Sequence, residues 1–307
     1  MMLSQHSNAA DLMRWATYAS VATALILIFV KIIAWFITDS VSVLATLLDS
    51  SLDVLASGLN LLAVKHALEP ADNEHRFGHG KAEALSGVGQ AMFIAGSAGF
   101  LLLQAIGRII NPQEMITGLE VGVGVMVFSM VITLALLSFQ KYVVQQTGST
   151  AIKADALHYR TDLLVNGSVI IALFLTFYGW SYFDAIFGIG IAIFILYSAW
   201  GILGESIDLL MDHEIADDER KKIVKLVSAY PDTIGYHDLR TRRSGTRVFV
   251  QLHLELDAAL TLASAHAIAD KVEKDIVALF GDAEVMIHED PVNSDKPKDN
   301  TQVGNKI

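Results

Sequence analysis

LLDSSLDVLASGLN, residues 47–60, sets Asp49 and Asp53 one helical turn apart in a run that otherwise has the composition of a membrane helix. Positions i and i+4 share a helix face. An aspartate at the middle of a membrane helix costs about 2.5–3.5 kcal/mol on insertion scales, and two on one face repel unless a cation sits between them. A partner stretch lies further on. ADALHYRTDLLVNG, residues 154–167, carries His158 and Asp162, again at i and i+4. Packed face to face, the two helices offer three carboxylates and an imidazole around one point, a donor set that suits tetrahedral Zn²⁺. The bland readings are that Asp49 is interfacial and solvated, and that His158 and Asp162 form a hydrogen-bonded pair within the bundle. Two such pairs on two spans favour an ion site, because ionisable groups inside membranes are rare and usually functional. Lys31, in the first span, has a stem long enough to snorkel and is read as a packing or pairing residue.

The rest of the chain supports a membrane setting. Of 307 residues 53% are hydrophobic and 18% charged, too apolar for an ordinary soluble protein. The net charge of −11 argues against a nucleic-acid partner. With no cysteine, any metal site must use His, Asp or Glu. The start, MMLSQHSNAADLMRW, does not read as a removable signal peptide. Six apolar stretches can cross a bilayer: 15–37, 41–64, 82–109, 119–139, 150–178 and 182–204. One set of connections (38–40, 111–118 and the break near Gly179) holds no Lys or Arg, although Arg108 borders the second. The other holds Lys65, Arg76, Lys81, Lys141 and Lys153, with Arg14 before the first span. The basic side is expected to be cytoplasmic, with both termini on it. Trp35 and Trp180 fall near the opposite interface. Small residues in spans three and six, Gly87, Gly89, Gly96, Gly188 and Gly190, are expected to allow close helix packing.

After Asp212 the composition turns polar. A helix from ADDERKKIVKLVSAY, strands in TIGYHDLRTRR and RVFVQLHLELD joined by a turn at Ser244–Gly245, a helix in TLASAHAIADKVEKDIVALF and a strand in AEVMIHED predict an α-β-β-α-β, two-layer domain of about 80 residues. The second helix shows Leu262, Ala265, Ala269, Val272, Ile276 and Phe280 along one stripe. Strand alternation puts Val248, Val250, Leu252 and Leu254 on one face, and Phe249, Gln251, His253 and Glu255 on the other. The expected division is therefore a six-helix transmembrane domain over 1–211, a cytoplasmic metal-binding domain over 212–291 and a disordered tail over 292–307.

Two further histidine clusters accompany the membrane pair. EPADNEHRFGHGKAE, residues 69–83, holds Asp72, His75 and His79 in a Pro- and Gly-containing loop, a pattern equally open to a solvated polar loop. The last domain holds His237, His253, His266, His288 and Asp290. Seven of the ten histidines fall in these three clusters, which favours metal binding over scatter.

LLDSSLDVLAS, PADNEHRFGHGKAE, ADALHYRTD, HDLRTRRSG, HLELD and IHEDP together resemble the cation diffusion facilitator family, in particular its bacterial zinc and ferrous-iron efflux pumps, over residues 14–291. The resemblance implies a homodimer in the bacterial inner membrane, each protomer a multi-pass α-helical membrane protein of six transmembrane helices with a C-terminal α+β ferredoxin-like cytoplasmic domain. It implies a transport site at Asp49, Asp53, His158 and Asp162. A loop site falls on Asp72, His75 and His79, and a binuclear C-terminal site on His237, His253, His266, His288 and Asp290. Lys81 and Asp212 match a charged dimer contact. His213 stands where close relatives in the family carry Arg, and Glu289 where they often carry Gln. The activity implied is secondary active antiport rather than catalysis: Zn²⁺, with Fe²⁺ or Cd²⁺ as alternatives, leaves the cytoplasm as protons enter. Zn²⁺ is then the substrate and also a regulatory or structural ion, with no organic cofactor. An intramembrane metal hydrolase would need an open coordination position, and no HExxH motif is present. A metal-sensing receptor leaves the span-two and span-five ligands unexplained, and a passive channel fits poorly with tight four-fold ligation.

Overall fold

The computed structural model describes residues 2–38, 41–110, 119–177 and 183–293. Trp180, the connections at 39–40 and 111–118, the break near Gly179 and the tail from residue 294 lie outside the described residues. So does the Asp49 side chain, although its backbone is helical. The chain divides into two compact units, Ser7–Ile207 and a second that runs on from Asp208.

The first unit is built of six long helices: α1 (Met2–Thr38), α2 (Val41–Ala67), α3 (Lys81–Ile110), α4 (Leu119–Thr147), α5 (Thr150–Phe177) and α6 (Phe183–Leu210). Among the described residues four of them, α1, α3, α4 and α6, are long and apolar enough to cross a membrane. The other two, α2 and α5, carry the paired carboxylates and the histidine. Large apolar side chains such as Phe29, Leu59, Phe100, Leu103 and Trp200 stand exposed on the outside of these helices, as a lipid-facing surface requires.

The first half of α5 is packed on most of its faces, with Lys153 and Arg160 left exposed on one. Ala154 and Leu157 pack with Ala91, Ile94 and Ala98 of α3 and with Ile195, Ala199 and Ile202 of α6. Ala151 and Ile152 pack with Met13 and Ala16 of α1, Val64 of α2 and Val143 of α4. The joint before it is short. Gly148 ends α4 at φ 67°, a left-handed conformation that favours glycine, and its N–H reaches the Val144 carbonyl. Ser149 then caps α5, its Oγ accepting the Ile152 N–H at 3.2 Å. Glu83, buried near the start of α3, accepts the Ala151 N–H at 3.3 Å. Of the glycines expected to allow close helix packing, two meet a neighbouring helix closely. A Cβ on Gly87 would meet Ser206 Oγ at 2.3 Å, and one on Gly188 would meet Ala105 Cβ at 3.2 Å. Among the described residues, Gly89, Gly96 and Gly190 meet no close neighbour.

The second unit has the order α7 (Asp217–Ser228), β1 (Gly235–Ser244), β2 (Arg247–Asp257), α8 (Leu262–Phe280) and β3 (Ala283–Val292). The sheet order is β1-β2-β3, antiparallel between β1 and β2 and parallel between β2 and β3; α8 supplies the crossover that a parallel pair needs. One sheet face is apolar and covered by the helices: Val248, Val250, Leu252, Leu254 and Leu256 pack with Ile223, Val227, Ile268, Val272 and Ile276. This is the α+β domain that the period-2 pattern predicts. Two details differ. Leu262 is exposed, because it is the first residue of α8 and precedes the turn that meets the sheet; Ile268 takes a core place that the expected stripe did not include. Phe249, expected on the open face, is buried under the Arg242 guanidinium, 4.3 Å from its ring centre. Thr261 caps α8 by accepting the Ser264 N–H, and Gly281 closes it at φ 77°.

Candidate functional site

On α5, Asp155, His158 and Asp162 fall at i, i+3 and i+7 along one stripe. From α2, Asp53 meets that stripe. His158 Nε2 lies 3.1 Å from Asp53 Oδ1 and 3.9 Å from Asp162 Oδ2. Asp53 and His158 are buried, while about a quarter of the Asp162 side chain is exposed. One donor atom from each of the three lies within 4.8 Å of the others. An ion at the centre would draw these atoms to the 2.0–2.2 Å that Zn²⁺ takes with nitrogen and oxygen. Phe93 of α3 sets its ring edge-on to His158, with centroids 5.7 Å apart, which limits how the imidazole can tilt. Lys31 Nζ reaches Ser50 Oγ at 2.6 Å, so the α1 ammonium meets α2 beside the aspartate turn.

One turn below His158 lies a group that the motif reading did not single out. Asp155 is fully buried; its Oδ2 accepts from Ser20 Oγ at 2.5 Å and from Gln140 Nε2 at 2.7 Å. The Ser20 carbonyl accepts from Tyr159 Oη at 2.9 Å, and Tyr159 Oη also bonds Ser57 Oγ of α2 at 2.9 Å. The polar partners come from α1, α2 and α4, so spacing within α5 gives no sign of them.

The loop group is held by backbone chemistry. Asp72 Oδ1 accepts the N–H of Glu74 at 2.8 Å and of His75 at 2.6 Å, an Asx turn. The His75 N–H is the main cause that holds the Asp72 carboxyl below the usual carboxylate range, with burial opposing it and the Glu74 N–H and the nearby His79 and His75 helping. His79 Nε2 stands 3.5 Å from Asp72 Oδ2, and His75 Nδ1 3.6 Å from Asp72 Oδ1. The His79 side chain is buried, and its Nδ1 has no hydrogen-bond partner. The donor atoms of Asp72, His75 and His79 converge within 4.8 Å. Both nitrogens of this buried ring are thus open to a cation: Nε2 beside Asp72 and Nδ1 without a partner among the described residues.

In the C-terminal unit, strand register explains the cluster. His237 pairs with His253 across β1–β2, and His253 with His288 across β2–β3, so three imidazoles stand in a row on the sheet face turned away from the helices. Ring centroids are 4.9 Å apart for the first pair and 4.7 Å for the second. Two residues along, Glu255 pairs with Asp290. The Asp290 carboxylate is the hub: Oδ2 lies 2.9 Å from His253 Nδ1 and 3.3 Å from His237 Nε2, and Oδ1 lies 3.3 Å from His288 Nε2. Glu255 Oε1 stands 3.1 Å from His237 Nδ1. Its place was visible in the alternation with His253, but as a potential ligand it was missed. His266 lies elsewhere. On α8 it faces Glu289 Oε1 at 3.6 Å, and within one chain it does not join the row. Asp212 pairs with Arg242 at 3.2 Å; His213 places Nδ1 2.8 Å from the Glu214 carbonyl.

Residues 17–211 match the model of the cation efflux transmembrane domain, and residues 215–292 that of the cation efflux protein cytoplasmic domain. The chain is 48% identical over 276 residues to the cation-efflux pump FieF of Salmonella arizonae and to that of Klebsiella pneumoniae, covering 90% of this chain and 92% of each relative. Among solved structures it is similar to a metal-bound C-terminal domain of the CzcD transporter from Thermotoga maritima, at 28% identity, with 26% of this chain and 93% of that one covered and a TM-score of 0.24. The cytosolic domain of a cation diffusion facilitator family protein matches at 29% identity, covering 24% and 90%, with a TM-score of 0.23. The chain belongs to the cation diffusion facilitator family and is a divalent-metal efflux transporter of the membrane, not an enzyme.

Proposed function

We propose that this chain exports Zn²⁺ from the cytoplasm in exchange for protons, by alternating access around a site formed by Asp49, Asp53, His158 and Asp162. The observation that carries the reading is the convergence of α2 and α5: His158 Nε2 at 3.1 Å from Asp53 and 3.9 Å from Asp162, within a buried polar group among apolar helices. Three carboxylates and one imidazole suit Zn²⁺ and tolerate Cd²⁺; Fe²⁺ and Co²⁺ are further candidates, while the imidazole disfavours Mn²⁺. Coupling follows from the ligands. A histidine must be neutral to bind metal, and carboxylates must be ionised, so protons and metal compete for the same lone pairs. Exchange of one proton for Zn²⁺ moves one net charge, worth about 2.3 kcal/mol per 100 mV; two protons make the exchange electroneutral.

The functional unit in this reading is a homodimer of six-span protomers in the bacterial inner membrane, with both termini cytoplasmic. Residues 1–211 form the transport domain and 212–291 the metal-binding domain. Lys81 and Asp212 form a charged contact of the dimer. Metal on the row of His237, His253, His288 and Asp290 acts as a regulatory ion, and Asp72, His75 and His79 form the loop site. The test is transport in reconstituted vesicles with an internal Zn²⁺-sensitive dye. Uptake should depend on an imposed pH gradient and vanish in Asp53→Ala. Uptake indifferent to pH would point to a channel instead.

A further inference from the structure

Beside the loop group stands a second set of donors on residues to which the proposed loop site gives no role. His66, in the last turn of α2, places Nδ1 2.8 Å from Glu69 Oε2. Donor atoms of His66, Glu69 and His79 lie within 4.8 Å of one another. The ring of His79 is thus flanked by two imidazoles, with centroids 4.4 Å from His66 and 4.5 Å from His75. His79 is the common member of both groups. It is also the buried member, and its Nδ1 is left without a hydrogen-bond partner.

Three protein ligands leave a tetrahedral divalent ion with one open position. We propose that His66 is the fourth ligand of the loop ion, and that Glu69 is its positioning residue. The Glu69 carboxylate accepts from Nδ1–H, which fixes the tautomer and leaves the lone pair on Nε2 for metal. This is the carboxylate–histidine–metal arrangement found around many bound ions. About half of the His66 side chain is exposed, so its ring is free to close over an ion already held by Asp72, His75 and His79. The shell would then be three imidazoles and one carboxylate, richer in nitrogen than the transport site. It would be matched to Zn²⁺ or Co²⁺ rather than to oxygen-seeking cations. The inference rests on the loop group being a metal site.

The test uses the full-length protein in detergent, with the other two groups disabled by Asp53→Ala, His158→Ala, His237→Ala, His253→Ala, His288→Ala and Asp290→Ala. Zn²⁺ binding is measured by competition with a chromophoric chelator, and coordination by the visible absorption of Co²⁺, which is intense for four-coordinate and weak for six-coordinate ions. The expected result is one ion per chain. Affinity should fall about tenfold or more with His66→Ala and by less with Glu69→Gln, and the cobalt band should weaken in His66→Ala. Unchanged affinity and spectrum in both variants, with binding still abolished by Asp72→Ala, would overturn the role of His66 alone. Two ions per chain would overturn the shared shell. No binding in the parent background would remove the loop site itself.

Discussion

Asp53 and Asp155 are both buried carboxylates on facing elements, yet they are held differently. Asp53 touches His158, a group that can exchange a proton for a metal. Asp155 is bound by Ser20 and Gln140, which have nothing else to offer a cation. Their substitutions should separate accordingly. Asp53→Asn keeps the volume and removes the charge, as protonation would. It should leave the thermal midpoint in detergent near that of the parent and lower proton-driven Zn²⁺ uptake by at least tenfold. Asp155→Ala leaves buried donors without an acceptor, a loss of about 1–3 kcal/mol. That should appear as a lower thermal midpoint before any change in metal affinity. Of these two carboxylates the sequence marks only the first. Asp53 repeats Asp49 at a helical interval and finds its counterpart in His158 and Asp162, whereas the partners of Asp155 lie 135 residues away and 15 residues away on other helices.

At the level of elements, alternation along β2 was enough to give its buried face, because a strand side chain has only two directions to choose from. The row His237–His253–His288 needed the register between strands as well, and that follows from a turn at Gly245 and a crossover through α8 rather than from any single strand. His266 shows the limit of reading by motif. It belongs to the same set of histidines, but α8 covers the apolar face of the sheet while the row stands on the other. A stability test belongs here too. Tyr230, just after α7, donates to Asp275 Oδ2 of α8 at 2.5 Å, and burial together with the Asp275 carboxylate pushes its phenol up to about 12 from 10.0. A raised folded value means that the O–H contributes fully below pH 10 and is lost as pH rises through about 12. Tyr230→Phe should therefore cost about 1 kcal/mol at pH 8. The gap between variant and parent in denaturant unfolding should shrink above pH 11.

For the whole molecule, the two units carry separate groups that could hold a metal ion, so their proposed roles can be separated by experiment. His237→Ala combined with His288→Ala should reduce the rate of Zn²⁺ transport while leaving Zn²⁺ binding at the Asp53 group unchanged, read by vesicle flux and by equilibrium titration. Flux equal to that of the parent would exclude a regulatory role for the sheet-face ion. The six long helices are plain from composition. The helices α2 and α5 are placed by the same apolar runs, 41–64 and 150–178, although polar residues interrupt both.

The anchoring of α5 has a mechanical consequence. Its base is fastened through the Gly148–Ser149 joint to α4, through Glu83 to α3 and through Asp155 and Tyr159 to Ser20 on α1. A rod clamped at its foot sweeps farther the greater the distance from the clamp. His158 sits at the edge of the clamp and Asp162 about 6 Å beyond it, so any swing of the free arm carries the aspartate away while the imidazole stays nearly still. If Asp162 and His158 hold the ion together, such a swing is expected to lengthen the carboxylate contact before the imidazole contact, so that Asp162→Asn should change the rate of Zn²⁺ release in vesicle flux more than its binding.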